Sequence, residues 1–205
     1  MFLINHDFEM ERLVPVIRAM REMFPGLWMG VNFLAVTGRD AFPVLGELEA
    51  GGCPVDAYWG DDARIDERRD DQQEAGEIDA VRRDSGWSGL YFGGTAFKKQ
   101  RPVEPSAYET SARLAASHMD VVTTSGIATG HEADLNKISD FRAGVGDTAL
   151  ALASGVTPGN AEIYADVDAF LVATGINIDG DFYNIDPARL AQLIEITRKI
   201  GGGTT

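Results

Sequence analysis

A chain of 205 residues, 44% hydrophobic and 24% charged, has the composition of an ordinary globular protein and is long enough to bury one substantial core. Its 18 basic and 32 acidic residues leave a formal charge of -14, which offers no basic face to a nucleic-acid backbone and is repelled by anionic lipid. Nucleic acid and membrane are therefore poor partners. A lone cysteine, Cys53, allows no internal disulfide, and nothing argues for an oxidising compartment. No apolar run approaches the roughly 18 residues of a spanning helix, and "MFLINHDFEMER" lacks the basic start and small-residue cleavage site of a signal peptide. The expectation is a cytoplasmic protein with one domain over residues 1–200 and a disordered tail over 201–205.

Seven short apolar runs follow one another along the chain. They are "MFLIN" (1–5), "LWMGVNFLA" (27–35), "VDAYWG" (55–60), "SGLYFGG" (88–94), "MDVVTTSG" (119–126), "TALALASG" (148–155) and "DAFLVATG" (168–175). Most are apolar on both faces and closed by Gly, Asn or Asp, which suits parallel strands covered on both sides. Amphipathic segments lie between them. "MERLVPVIRAMREMF" puts Leu13, Ile17, Met20 and Phe24 on one face, with Pro15 early in the helix; "GRDAFPVLGELEAGG" carries Pro43 similarly and ends in a glycine stop. "DERRDDQQEAGEIDAVRRDSG" reads as a polar helix or helix pair. Asp186 and Pro187 mark the start of a last helix through Leu190, Leu193 and Ile194.

Alternation of this kind leaves a doubly wound open sheet or a (β/α) barrel. Repeats of about 20 to 33 residues match the units of a TIM barrel, although only seven of its eight strand-helix units are visible. An incomplete barrel exposes sheet edge, and completion by a partner chain would make a homo-oligomer.

The ends of the last two runs are unusually bare. Ser154, Gly155 and Val156 precede Thr157-Pro158, which reads as the N-cap and first-turn proline of a helix, and Thr174-Gly175 closes the next run. Exposed amides at a helix start attract anions, and barrels often hold phosphate in the loops after their last two strands. Glycines also simply make turns, so one such loop alone would mean little. Ser125 and Gly126, with Thr129 and Gly130 beyond, form a third small, hydroxyl-rich loop that could extend the cradle or satisfy its own backbone. A phosphorylated small molecule is the expected ligand.

Catalytic groups of a barrel project from its other strand ends, which nominates Lys98, Asp61, Asn32 and His6, with Asp7 beside the last. An aspartate and a lysine beside a phosphate site could perform acid-base chemistry at a carbonyl, or form a Schiff base if burial depressed the lysine. His6, His118 and His131 have no metal-ligand spacing, and the acidic run "WGDDARIDERRDD" is better read as a solvated face than as a cation site. Neither a metal nor a cofactor is called for.

The segments "GVNFLA", "VVTTSGIATG", "LASGVTPGN" and "VDAFLVATGINIDGDFYNIDPARL" resemble the BtpA/SgcQ family of predicted TIM-barrel proteins, from the first residue to about residue 197. The resemblance implies a (β/α)8 barrel with a phosphate-type site at Gly155, Val156, Thr174 and Gly175. It also highlights Lys98, because the family commonly carries a lysine in a "V-K-H" triplet where this chain has "FKK". Lys99 replaces the family's histidine there, and Ala96 replaces another, so the resemblance transfers no role for those histidines. Family members continue upstream of "INHDF" through a first strand and helix. The function implied is an enzyme acting on a phosphorylated sugar or phosphoribosyl compound; the alternative is a non-catalytic binding or assembly factor that retains the phosphate site.

Overall fold

The computed structural model describes residues 1–6, 9–128 and 130–202. Seven strands alternate with helices: β1 (Phe2–Ile4), α1 (Met10–Met23), β2 (Gly30–Asn32), α2 (Gly38–Ala50), β3 (Ala57–Gly60), α3 (Gln73–Ser85), β4 (Leu90–Gly94), α4 (Tyr108–Ala115), β5 (Val121–Ser125), α5 (Leu135–Val145), β6 (Ala149–Ala153), β7 (Ala169–Leu171) and α6 (Pro187–Ile200). The strands form one parallel sheet in chain order, β1 to β7. Each strand falls inside one of the seven apolar runs.

Strand pairing sets which residues face inward. Phe2 pairs with Gly30, Gly30 with Ala57, Trp59 with Phe92, Phe92 with Val121, Thr123 with Ala151 and Ala153 with Leu171. Ala57, Trp59, Phe92, Val121, Ala151 and Ala153 form one apolar cluster, joined by Phe2 and Ile4 from one end of the sheet and Leu171 from the other. The ring of Phe2 lies 5.4 Å from that of Phe92 and 6.1 Å from that of Trp59, so the sheet is curled and β1 reaches over strands well along it. The alternate residues face the helices, where Tyr58 stacks on Tyr91, Phe42 on Trp87, and Ile17, Leu45, Phe141 and Leu152 are fully buried. Each such large side chain contributes about 1.5–3 kcal/mol by leaving water. This makes an inner core and an outer core, the arrangement of a (β/α) barrel. Among the described residues no ladder joins β1 to β7, and both strands are only partly buried.

The face at the strand N-termini carries a repeated clamp. Asp56, Asp120 and Asp168 each stand immediately before a strand, and each Oδ2 accepts from a backbone amide of the preceding strand or its entry: Met29 at 2.7 Å, Tyr91 at 2.6 Å and Leu150 at 2.8 Å. The same oxygens meet Arg21, Arg82 and Arg142, from α1, α3 and α5, at 2.8, 2.5 and 2.8 Å. Those guanidiniums also donate to carbonyls of the loops around them, including Pro54, Gly89 and Thr148. One device thus locks helix, loop and strand at every second unit.

Two local expectations are revised and an open one is settled. No α-helix follows Thr157-Pro158; the connection from β6 to β7 is a turn and one 3-10 turn, Ala161–Tyr164. Asn160 Oδ1 accepts from Thr157 N, and the buried Tyr164 hydroxyl donates to Ala133 O, so most of the short connection is tied down by specific bonds. The polar stretch after Asp66 gives one helix, α3, because its first part is folded back by Gln72, whose side chain bonds the backbone of Asp66 and Arg69. Pro15 and Pro43 lie beyond the first turn of α1 and α2, and each forfeits one intrahelical bond. The caps of α6 form as read, with Asp186 Oδ1 accepting from Ala188 N and Arg189 N.

Candidate functional site

Backbone strain concentrates at one end of the barrel. Leu34, Ala35, Arg64, Ala96, Lys99 and Ser154 have positive φ, from 35° to 77°, although none is glycine. All six lie in loops that leave the C-terminal ends of β2, β3, β4 and β6. Such conformations persist only where surrounding structure imposes them, and they cluster at functional sites.

Those loops bring three of the four expected catalytic residues into one neighbourhood. The buried Asn32 side chain, at the end of β2, donates to Asp61 Oδ1 at 3.0 Å and accepts from Leu34 N at 2.6 Å, so the amide is oriented by its own loop. Gln100 Nε2 holds the Asp61 carbonyl at 2.5 Å and the Gly94 carbonyl at 3.2 Å, which ties the β3 and β4 ends together. Lys98 Nζ reaches across to Ser154 Oγ at 2.5 Å, while Lys98 N donates to Ser125 Oγ. Burial pushes the Asp61 carboxyl up, against the hydrogen bond from Asn32 and the attraction of Lys98 and Lys99. Burial likewise pushes the Lys98 amine down, against the attraction of Asp61. The two groups are displaced toward each other on the pH scale. His6 is exposed and meets Phe182 edge to face at 5.7 Å, and Asp7 lies outside the described residues.

The small-residue loops are in contact with each other. A Cβ on Gly155 would stand 2.1 Å from His131 O, one on Gly126 2.5 Å from the same oxygen, and one on Gly175 1.9 Å from Val156 O. Glycine at these three places therefore serves the close approach of neighbouring loop backbones. Among the described residues, the N–H groups of Gly155, Val156, Thr174 and Gly175 donate to no protein acceptor, although Gly155 and Val156 are buried. Buried amides without partners are rare, and the two at Gly155 and Val156 lie on a loop that abuts the one carrying Thr174 and Gly175. Ser154, bonded to Lys98, stands next to Gly155. Thr129 lies outside the described residues.

One residue of the neighbourhood was not singled out by the sequence. Lys137, on α5 and 8% exposed, donates to Ala96 O at 2.6 Å and Ser125 O at 2.8 Å. Its ammonium also lies 5.2 Å from the Tyr108 ring centre and 5.7 Å from that of Phe141. Lys137 and Phe141 are four residues apart, on the inward face of α5, and that spacing was the available signal. Beside it a cleft of about 560 Å³ opens between the loops after β4 and β5. Among the described residues no group of three or more His, Cys, Asp and Glu could hold a metal ion. No helix among them is long and apolar enough to cross a membrane.

The fold is similar to that of phosphoribosyl anthranilate isomerase from Thermus thermophilus, with a TM-score of 0.56 and 15% identity over 90% of this chain and 79% of that one. A mandelate racemase/muconate lactonizing protein from Herpetosiphon aurantiacus matches at 0.55 and 12% identity, over 88% of this chain and 48% of that one. The inosine 5' monophosphate dehydrogenase of Legionella pneumophila matches at 0.50 and 15% identity, over 76% and 47%. The chain thus spans about half the length of the latter two. No family model matches the chain, and no curated protein sequence matches it. Likeness at these identities defines the fold class, an α/β barrel of the TIM type, of which the described residues form seven strands.

Proposed function

We propose that the chain is a phosphate-binding barrel enzyme of the BtpA/SgcQ type, acting on a phosphorylated sugar or phosphoribosyl compound by isomerase, aldolase or phosphoribosyl-transfer-like chemistry. The observation that carries this reading is the set of unpartnered amides at Gly155, Val156, Thr174 and Gly175 beside Ser154, to which Lys98 is bonded. Oriented N–H groups suit a dianionic phosphate, and an adjoining ammonium adds charge where a ligand's second half would lie. Asp61, held by Asn32 and attracted by Lys98, would move a proton at the carbon or oxygen next to the phosphoester. Phosphoribosyl anthranilate isomerase, one of the similar folds, bears a phosphoribosyl compound in its name and supports this choice of substrate class.

The test is thermal stabilisation by ribose 5-phosphate and related phosphosugars, followed by turnover assays. The expected result is a rise in Tm with phosphosugars and none with the free sugars, and turnover that falls at least about 100-fold in Lys98→Met. Stabilisation without turnover in wild type, unchanged in Lys98→Met, would identify a binding or assembly factor. No stabilisation by any phosphorylated compound would refute the phosphate site itself.

A further inference from the structure

The cleft between the loops after β4 and β5 adjoins, through Lys98 and Ser154, the loop that carries the amides of Gly155 and Val156, but none of Gly155, Val156, Thr174 and Gly175 lines it. Lys137 forms part of its wall, and a charge buried that deeply is ordinarily met by an opposite charge. Here the ammonium has two neutral carbonyls and two aromatic rings, and among the described residues no carboxylate pairs with it. Lys98 and Lys99 line the same space, and Lys99 makes no ion pair among the described residues. Lys99 is presented there by a left-handed backbone, φ 67°, that a lysine adopts only under constraint. The other charged groups of the wall are committed. Arg101 is bonded to Glu67, Glu132 accepts from Asn160, and Asp134 caps α5. In a chain of net charge -14, Lys137 and Lys99 stand around one hollow without an ion-pair partner among the described residues, while Asp61, which does not line the hollow, attracts Lys98 and Lys99.

We propose that this cleft is a binding site for a small organic anion, whose carboxylate or phosphate meets Lys137 and Lys99 and whose apolar body lies along Tyr108 and Val103. Lys137 then has two tasks. It clamps the carbonyls of Ala96 and Ser125, fixing the segment from which Lys98 projects, and it supplies the charge at the cleft floor. Because Lys98 borders both the cleft and Ser154, an anion here would sit next to the proposed phosphorylated substrate, as a second substrate or as an effector. The inference goes beyond the phosphosugar reading and does not depend on it.

The experiment is an NMR titration of protein labelled with 13C at lysine Cε and with 15N, using inorganic phosphate in one arm and benzoate in the other. Saturable movement of the Lys137 and Lys99 Cε signals is expected with at least one probe, and the arm that saturates at lower concentration identifies phosphate or carboxylate. Lys99→Gln should weaken the Lys137 response at least tenfold, and Lys137→Met should abolish the Lys99 response. Movement confined to the amides of Gly155, Val156, Thr174 and Gly175 would overturn the cleft site and leave the phosphate loops standing. Movement confined to the lysines would do the opposite, and no movement at either place would overturn both.

Discussion

At the scale of single residues, the mouth of the barrel holds ionisable groups at a cost in stability. Asp61 is the clearest case, since burial raises its carboxyl above the usual value of 3.8. A group whose folded value is raised contributes its stability below the unfolded value and loses it as pH rises through the folded value, so at neutral pH the ionised Asp61 is a cost. Asp61→Asn keeps an oxygen for Asn32 and removes that cost. Its Tm should exceed that of wild type at pH 7, by an amount corresponding to about 0.5–2 kcal/mol, with the gain vanishing below pH 3.8, while turnover is lost. Scanning calorimetry at several pH values measures it, and equal Tm values throughout would contradict the assignment. Lys137 gives the complementary case. Burial pushes its amine down from 10.5 to about 8. Between those values the unfolded chain binds more protons than the folded one, so stability should rise as pH climbs from about 8 toward 10. Urea midpoints of wild type should show this slope relative to Lys137→Met, which cancels the contribution of the tyrosines common to both. Neither effect was legible in the sequence, because a lysine or aspartate letter carries no burial; only the spacing of Lys137 from Phe141 hinted at an inward face.

At the scale of elements, the strands and their bare ends were legible, and the reason for the bareness was not. A run such as "VVTTSG" declares a buried strand by its β-branched residues and glycine stop. The glycines after β5, β6 and β7 suggested room for a ligand, but their Cα atoms face neighbouring backbone: His131 for Gly126 and Gly155, Val156 for Gly175. Contacts between separate loops, such as Gly155 with His131 and Gly175 with Val156, have no signature in a local pattern. The helix expected after Pro158 failed for a related reason, since its residues are held by Asn160 and by the Tyr164 contact with Ala133. Two alanine substitutions separate packing glycines from idle ones. Gly175→Ala, whose Cβ would stand 1.9 Å from Val156 O, should cost about 1–3 kcal/mol or more. Gly76→Ala, in α3 with nothing within 4 Å of the new Cβ, should gain about 0.5–1 kcal/mol from reduced chain entropy. Chemical denaturation gives both numbers, and effects of the same sign would refute the distinction.

At the scale of the whole molecule, seven units build a curled sheet whose two ends meet no partner strand among the described residues. The count of seven came directly from the sequence, because each unit opens on one apolar run; the Asp-Arg clamps that brace every second unit did not, since their partners are 26 to 38 residues apart. Strength is accordingly uneven around the barrel. β3, β5 and β6 are flanked on both sides and almost wholly buried, whereas every residue of β1 and β7 is partly exposed. Local opening follows burial and the number of neighbours, so amide exchange should report a gradient along the sheet. Val122, Thr123, Leu150 and Leu152 are expected to exchange only through global unfolding, with protection matching the stability measured by denaturant. Leu3 and Phe170, although bonded within the sheet, should exchange at least about 100-fold faster, through openings about 2.7 kcal/mol or more below the global one. The clamp at Asp168 sharpens the expectation, because it holds only the entry of β7 to β6, so protection should fall from Asp168 toward Leu171. If β1 and β7 were instead as protected as β5, their open edges would have to be covered in solution. Sedimentation equilibrium would then show an oligomer, and the seam between the first and last strands would be the place where the copies meet.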